Sequence, residues 1–292
     1  MLTPNQKDSY RQAGHLVVRD FLTADEVAEF TSLMDSISVG NTRDRFDADR
    51  VEMEPNQPPE GTRVRRIYEP CTYYPRFRSF AESEKVLGCV TGLIGPDVTF
   101  HYSKINMKPP SIGSVVEWHQ DLAYYPLTNT DSLALLIYLD DADRRNGCLQ
   151  VIPGTDDRPV LNHSLEGFFQ GRITEPLEES RATPLEGKAG TAIFLHGLTP
   201  HASLANTSDR ARRTLILSYR AADAFPLHIV GVTEEAERHV RHVRGRPAAA
   251  ARTTRTSIPV PRYRKRAASL YELQDWSRKG TAGNIVAPTG TS

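Results

Sequence analysis

The sequence predicts a mainly β fold, a sandwich or jelly roll, with flanking helices. Six short β-rich runs carry this prediction, at residues 98–107, 114–121, 132–139, 148–152, 191–195 and 213–220. Turn residues separate the runs, namely Pro109-Pro110, Asn146-Gly147, Pro153-Gly154 and the glycines Gly187 and Gly190. Many short strands punctuated in this way are typical of sandwiches and jelly rolls. The sequence contains no internal repeat of solenoid or propeller period.

The chain is long enough for one large domain with a substantial core, since it has 292 residues, 39% of them hydrophobic and 25% charged. We expect a core at about residues 98–222, helical and strand support at 1–97 and a basic extension at 226–292. The 36 basic residues balance 36 acidic residues. The overall charge therefore does not favour nucleic acid or an anionic membrane as a partner.

Apolar residues form no run long enough to span a membrane, and the first residues lack the apolar region of a signal peptide. We therefore expect a soluble, cytoplasmic protein, while the sequence gives no expectation about its oligomeric state. The three cysteines, Cys71, Cys89 and Cys148, are odd in number and widely spaced. This spacing argues against disulfides and against a zinc ribbon.

The N-terminal support is predicted to alternate between helix and strand. A helix is expected at residues 4–12 and a strand at 14–18. Thr23 precedes a second helix, and a glutamate three residues later completes the capping-box pattern. Residues 38–66 are polar, charged and rich in proline, which predicts a long loop, either a lid over a site or a mobile insertion. Another helix is predicted at residues 76–94.

Arginine is frequent between residues 238 and 266, where no acidic residue occurs. Thr233 is expected to cap a helix that carries Arg238, Arg241 and Arg244 in its later turns. Because almost no aromatic residues are interleaved with the arginines, we interpret this segment as a solvated extension lying over the domain and not as a nucleic-acid-binding surface.

A metal-binding pattern occurs at Trp118-His119-Gln120-Asp121, at the end of the second β-rich run. Residues two apart in a strand point to the same face, so His119 and Asp121 present an imidazole and a carboxylate together. A further histidine would complete a facial triad of two histidines and one carboxylate, which leaves positions on Fe(II) open for a cosubstrate and oxygen. His196 and His201 follow a later predicted strand and are the candidates.

We prefer His201 to His196 because a cationic anchor, Arg212, follows it. A planar guanidinium can neutralise the far carboxylate of a dicarboxylate cosubstrate that chelates iron through its other end. Alternation places five residues on one face of the last predicted strand, namely Arg212, Thr214, Ile216, Ser218 and Arg220. Arg220 is a candidate for contacting an anionic substrate, and a surface carboxylate is its alternative partner.

Three motifs stand in order along the chain, namely His119-Gln120-Asp121-Leu122-Ala123-Tyr124-Tyr125-Pro126, Asn146-Gly147-Cys148-Leu149-Gln150-Val151-Ile152-Pro153-Gly154-Thr155, and His201-Ala202-Ser203 followed by Asn206 and Arg212. Together they resemble the phytanoyl-CoA dioxygenase family of Fe(II)- and 2-oxoglutarate-dependent oxygenases, over roughly residues 16–223. The resemblance implies a double-stranded β-helix, that is, a jelly-roll or cupin-like fold. It implies Fe(II) bound by His119, Asp121 and His201, with oxygen and 2-oxoglutarate as cosubstrates. Arg212 would anchor 2-oxoglutarate, with Thr214 beside it and Ser203 assisting.

Asn106 is implied to contact 2-oxoglutarate by a weaker resemblance to ectoine hydroxylases, which have an asparagine at the matching place. Where those enzymes have a glutamine a few residues earlier, this sequence has Tyr102. Tyr124 and Tyr125 directly follow the metal motif. With Tyr102, they are candidates for lining the substrate pocket, and burial in the core is the alternative.

The predicted function is a dioxygenase that hydroxylates or otherwise oxidises a small organic metabolite. One alternative is a non-catalytic jelly-roll binding module, which would need neither metal nor cosubstrate. The other is a metal-dependent hydrolase or isomerase on a cupin-like scaffold, which gives no role to Arg212. The substrate itself is not predicted, because the residues that select it would lie in loops.

Overall fold

The computed structural model describes residues 1–111, 115–154, 159–227, 237–254, 258–261 and 270–278. The helices are α1 (Pro4–Ala13), α2 (Ala24–Ser38), α3 (Pro70–Tyr73), α4 (Pro75–Ala81), α5 (Glu84–Ile94) and α6 (Leu270–Arg278), with 3-10 turns at Asp121–Ala123 and Glu179–Arg181. The strands are β1 (His15–Val18), β2 (Val51–Met53), β3 (Val64–Tyr68), β4 (Val98–Lys108), β5 (Val116–His119), β6 (Ser132–Tyr138), β7 (Leu149–Val151), β8 (Ser164–Leu165), β9 (Phe168–Phe169), β10 (Thr183–Leu185), β11 (Ala192–His196), β12 (His201–Ser203), β13 (Arg212–Ala221) and β14 (Arg241–Arg244).

Two antiparallel sheets form the body of the fold. Among the described residues, the larger sheet has the strand order β1-β11-β6-β13-β4-β3-β2, and β14 pairs with β4 beside this path. The smaller sheet has the order β10-β7-β12-β5, and β8 pairs separately with β9. Sequence neighbours are rarely sheet neighbours, as expected for a jelly roll. The predicted mainly β, jelly-roll fold is confirmed.

The central strand β6 has a core on each of its faces, which explains why all of its side chains are buried. Leu133, Leu135 and Ile137 belong to the core between the large sheet and the helices. Ala134, Leu136 and Tyr138 belong to a second core, whose other members come from both sheets. The second core therefore fills the inside of the jelly roll and borders the site described below.

The elements predicted before residue 38 are confirmed, and so is the cap at Thr23. Thr23 accepts a hydrogen bond from the Glu26 backbone, and the Glu26 side chain accepts one in return, so the capping box is formed. Gly14 ends α1 with φ 72°, a left-handed conformation that favours glycine. An added Cβ there would lie 2.3 Å from the Thr199 hydroxyl oxygen. The close approach places the α1–β1 junction against the loop that precedes His201.

Three predicted elements differ from the structure. Residues 76–94 form two helices and not one, because α4 ends before residue 82 and Ser83 caps α5 by accepting a hydrogen bond from the Val86 backbone. Residues 38–66 are not a loop throughout, since they contain β2 and the start of β3, which extend the large sheet. The strand predicted at 114–121 is shorter: Ser114 lies outside the described residues, and β5 ends at His119.

The predicted C-terminal helix is wrong where it can be compared, because Arg241–Arg244 is a strand. Thr233 lies outside the described residues. Arg241 packs over the Phe100 ring at 4.5 Å from its centroid and pairs with Glu82 at 2.9 Å. The arginine-rich segment is therefore attached to the large sheet by specific contacts over this stretch.

The three cysteines are buried free thiols. In the described part of the chain, no helix has both the length and the apolar character that crossing a membrane requires.

Candidate metal and cosubstrate site

The candidate metal ligands are brought together by the edge of the smaller sheet. β5 and β12 are antiparallel neighbours, and their register sets His119 directly opposite His201. Asp121 is not on the strand as predicted. It is the first residue of a 3-10 turn, which is held by a 3.0 Å hydrogen bond from the Leu122 backbone nitrogen to the Gly197 carbonyl. The turn returns the carboxylate toward both imidazoles.

Each imidazole is oriented by the backbone carbonyl two residues before it in the chain. The Nδ1 of His119 lies 2.8 Å from the Glu117 oxygen, and the Nδ1 of His201 lies 3.0 Å from the Thr199 oxygen. A carbonyl can only accept, so Nδ1 carries the proton in both rings and Nε2 keeps its lone pair. This is the tautomer that a metal-binding histidine needs.

The three ligand atoms are close enough for one ion. The Oδ1 of Asp121 lies 3.8 Å from the Nε2 of His119 and 3.8 Å from the Nε2 of His201. Two ligands that each bind a metal at about 2.1 Å can be no more than about 4.2 Å apart, so both distances are compatible with a shared ion. All three side chains are buried, and in the described residues they form the one candidate metal-ligating group.

Burial lowers the pKa of His119 well below its ordinary value, and the nearby His201 lowers it further. The imidazole is therefore neutral at physiological pH and able to bind a metal. Two neutral nitrogens and one carboxylate, with the remaining directions open to a cavity, are the donor set of non-haem Fe(II) oxygenases. The residues present fit that metal.

The other histidine considered from the sequence, His196, does not join this group. It lies on β11 of the larger sheet, and its Nδ1 accepts a hydrogen bond from the Leu198 backbone nitrogen at 3.1 Å. Its role is to hold the loop between β11 and β12. The structure thus brings together His201 with His119 and Asp121, the combination that the sequence favoured.

The predicted anchor Arg212 lines the same cavity as the three candidate ligands. Its side chain is buried, and its guanidinium donates to the Thr214 hydroxyl at 2.7 Å and to the Gly147 carbonyl at 2.6 Å. Ser203 also lines this cavity. These contacts fix the plane of the guanidinium, as bidentate recognition of a carboxylate requires.

Asn106 faces the cavity from β4, directly opposite Thr214 on β13. Its Oδ1 accepts a 3.1 Å hydrogen bond from the Nε of Arg66 on β3. An amide whose oxygen is held in this way directs its NH2 group elsewhere, so Asn106 can act as a donor toward an anion in the cavity.

Two lysines that were not predicted as site residues, Lys104 and Lys108, also line this cavity. They share the inner face of β4 with Tyr102 and Asn106, as every second residue of a strand does. Burial lowers the pKa of Lys108 well below its ordinary value, and the neighbouring Arg212 acts in the same direction. Alternation from Asn106 would have revealed both lysines.

The three candidate tyrosines line the cavity or a pocket beside it. Tyr102 lines the cavity and also an adjoining pocket of about 270 Å³, which Tyr124 and Tyr125 line as well. The ring of Tyr124 meets the ring of His119 edge to face, with centroids 5.6 Å apart. Arg220 lines neither pocket, and it pairs with Glu237 at 2.8 Å. The substrate roles of these four residues remain predictions.

The sequence matches the model of the phytanoyl-CoA dioxygenase family over residues 10–214. A probable alpha-ketoglutarate-dependent hypophosphite dioxygenase of Stutzerimonas stutzeri is 34% identical over 229 residues, covering 76% of this chain and 80% of its own. A methylphosphonate hydroxylase of Gimesia maris is 27% identical over 220 residues, covering 75% and 81% of the two chains.

Among solved structures, EctD from S. alaskensis with bound Fe is similar in fold, with a TM-score of 0.65 at 23% identity and coverage of 87% of each chain. The comparisons favour the dioxygenase over the non-catalytic binding module and the cupin hydrolase or isomerase. The chain therefore belongs to the phytanoyl-CoA dioxygenase family of non-haem iron, 2-oxoglutarate-dependent dioxygenases.

Proposed function

We propose that this dioxygenase oxidises a small phosphorus oxyanion, such as hypophosphite or a phosphonate. Two relatives that each align with about three quarters of the chain act on hypophosphite and on methylphosphonate, according to their names. The observation that carries the proposal in this chain is a cavity in which the three candidate ligands share their walls with the cationic side chains Arg212 and Lys104. These two cations match two anions in charge, the cosubstrate and the substrate.

In this proposal, His119, Asp121 and His201 hold Fe(II). The carbonyls of Glu117 and Thr199 keep the two Nε2 lone pairs directed at the metal. Bound Fe(II) with 2-oxoglutarate supplies the oxidation, in which one atom of dioxygen enters a P–H or C–H bond as hydroxyl, the other enters succinate, and carbon dioxide is released. Substrate and 2-oxoglutarate each give two electrons, which balance the four that dioxygen accepts.

The protein residues bind, orient and exclude water. Arg212 binds the far carboxylate of 2-oxoglutarate, and Thr214 and Asn106 stand beside it across the β4–β13 pair. Tyr138 and Ile216 are buried walls of the same cavity and limit its water content. A fixed, desolvated cation binds a carboxylate more strongly than a hydrated one, because little reorganisation is needed.

The test is a substrate panel scored by succinate formation and by ³¹P NMR of the product. We expect hypophosphite, methylphosphonate or 2-aminoethylphosphonate to stimulate succinate formation with a matching oxidised phosphorus product. L-proline and ectoine, which are zwitterions without net charge, serve as comparisons. The variant D121A serves as the metal-site control. Stimulation by L-proline or ectoine, with none by any of the phosphorus oxyanions, would contradict the proposed substrate class.

A further inference from the structure

Lys104 stands apart from the cosubstrate anchor along the inner face of β4. The β4–β13 register pairs Lys108 with Arg212, Asn106 with Thr214, and Lys104 with Ile216. Lys104 is therefore four residues from the level of Arg212, which is about 13 Å of strand. The Arg212 end of the cavity binds the far carboxylate in the proposed function, so Lys104 marks a different level.

Lys104 lies at the part of the cavity that the candidate metal ligands line. Its ammonium interacts electrostatically with Asp121, and it contributes to lowering the pKa of His119. It also lies 5.4 Å from the centroid of the Tyr102 ring, and Tyr102 lines both the cavity and the adjoining pocket. Lys104 is thus placed where the cavity passes from the metal ligands to the pocket that a substrate would enter.

The other cations of the cavity, Lys108 and Arg212, donate hydrogen bonds to the protein, whereas the ammonium of Lys104 lies over the Tyr102 ring. Lys108 donates to the Leu204 carbonyl at 2.7 Å, and Arg212 donates to the Gly147 carbonyl at 2.6 Å. Lys104 has neither a hydrogen bond nor an ion pair with any residue that the structure describes. Lys104 is half-buried and lines the cavity without a carboxylate in hydrogen-bond range, so its ammonium is available to an anionic ligand.

Glu69, which also interacts electrostatically with Lys104, does not neutralise it fully. Burial raises the pKa of Glu69 to about 7, so this carboxyl is partly protonated at neutral pH. Burial and the nearby Arg66 lower the pKa of Lys104 to about 8, which leaves the ammonium mostly charged at neutral pH.

The charges of the assembled site leave a place for one anion. A ferrous ion, the Asp121 carboxylate, the 2-oxoglutarate dianion and Arg212 together carry no net charge. Lys104 then adds one positive charge at the level of the metal. With a neutral substrate, this charge would be compensated only in part, by the partly ionised Glu69, whereas a monoanion would neutralise it.

We propose that Lys104 binds the oxyanion group of the substrate and so determines the specificity of this enzyme for small phosphorus oxyanions, an inference that rests on the proposed function. The ammonium donates to a phosphorus-bound oxygen and holds the adjacent P–H or C–H bond toward the metal. Arg212, in contrast, serves the cosubstrate alone. Each of the two cations therefore binds one of the two anions.

The test measures binding without turnover. Protein loaded with Zn(II) and 2-oxoglutarate is titrated calorimetrically with hypophosphite and with methylphosphonate, for wild type, K104Q, K104R and the control K188Q. Lys188 is a suitable control because its side chain is 83% exposed and pairs with Asp141 outside the cavity. Circular dichroism and the dissociation constant for 2-oxoglutarate show whether each variant keeps its fold and its cosubstrate site.

We expect K104Q to weaken binding of the phosphorus oxyanion roughly 10- to 100-fold, the range of a charge-assisted hydrogen bond, with 2-oxoglutarate affinity within about twofold of wild type. K104R should restore part of the loss, and K188Q should bind as wild type does. Unchanged oxyanion binding in a folded K104Q, or a loss confined to 2-oxoglutarate, would overturn the assignment of Lys104 alone. If wild type binds neither oxyanion, the proposed substrate class is wrong and the Lys104 proposal falls with it.

Discussion

Replacing Arg212 with leucine tests the cosubstrate site most selectively. The guanidinium is 5% exposed, and it is held by Thr214 and by the Gly147 carbonyl. Removing one partner of a buried charge pair typically costs about 2–5 kcal/mol, so R212L should weaken 2-oxoglutarate binding by roughly 30-fold to several thousand-fold. Iron binding should change little, because Arg212 is not a member of the candidate ligand group.

The same substitution leaves the Gly147 carbonyl without its Arg212 donor, which lowers the free energy of unfolding by about 1–3 kcal/mol. The assay therefore combines a calorimetric titration of 2-oxoglutarate with iron analysis and urea denaturation of each variant. R210L is the matched control, because Arg210 is half exposed and pairs with Asp143 on the surface. A folded R212L with near wild-type 2-oxoglutarate affinity, or an equal loss in R210L, would refute the anchor assignment.

Three further predictions concern residues around the metal and the cavity. H119A should retain no iron, and its unfolding temperature should lie within roughly 5 °C of that of the metal-free wild type. Iron analysis and a thermal melt check this, and a wild-type iron content in H119A would contradict it. R66L and N106A should each weaken 2-oxoglutarate binding roughly 2- to 10-fold, because Arg66 holds the Asn106 amide. The double variant should bind 2-oxoglutarate no more weakly than the single variant with the larger loss, whereas additive losses in calorimetry would show that the two residues act separately. Burial raises the folded pKa of Glu69 to about 7, so the stability that the protonated carboxyl contributes below its unfolded pKa is lost as the pH rises through 7. Denaturation should therefore find E69Q more stable than wild type by about 2 kcal/mol at pH 8 and equally stable at pH 4. Equal stability of the two proteins at pH 8 would contradict this prediction.

Predictions from the sequence were most successful where one physical signal dominated. The capping box at Thr23 specifies the start of a helix by local hydrogen bonds, and the structure has that helix start. The continuous apolar run at 132–139 predicts a strand, and β6 is buried on both faces. His119, Asp121 and His201 were selected by spacing and chemistry, and the structure places their ligand atoms together.

One error arose because polar residues can be buried when they pair with each other. Residues 38–66 were interpreted as a loop because they are charged, yet Glu54 and Arg65 are buried in an ion pair of 3.1 Å within the β2–β3 hairpin. Lys104 and Lys108 were missed for a different reason, since a hydrophobic pattern does not mark lysines that line a cavity.

The most direct test of the central claim is a crystal structure grown without oxygen in the presence of Fe(II) and 2-oxoglutarate, with anomalous scattering recorded at the iron edge. We predict one strong anomalous peak bonded to the Nε2 atoms of His119 and His201 and to a carboxylate oxygen of Asp121. The far carboxylate of 2-oxoglutarate should lie against Arg212. A peak away from these three side chains, or 2-oxoglutarate bound without contact to Arg212, would contradict the account.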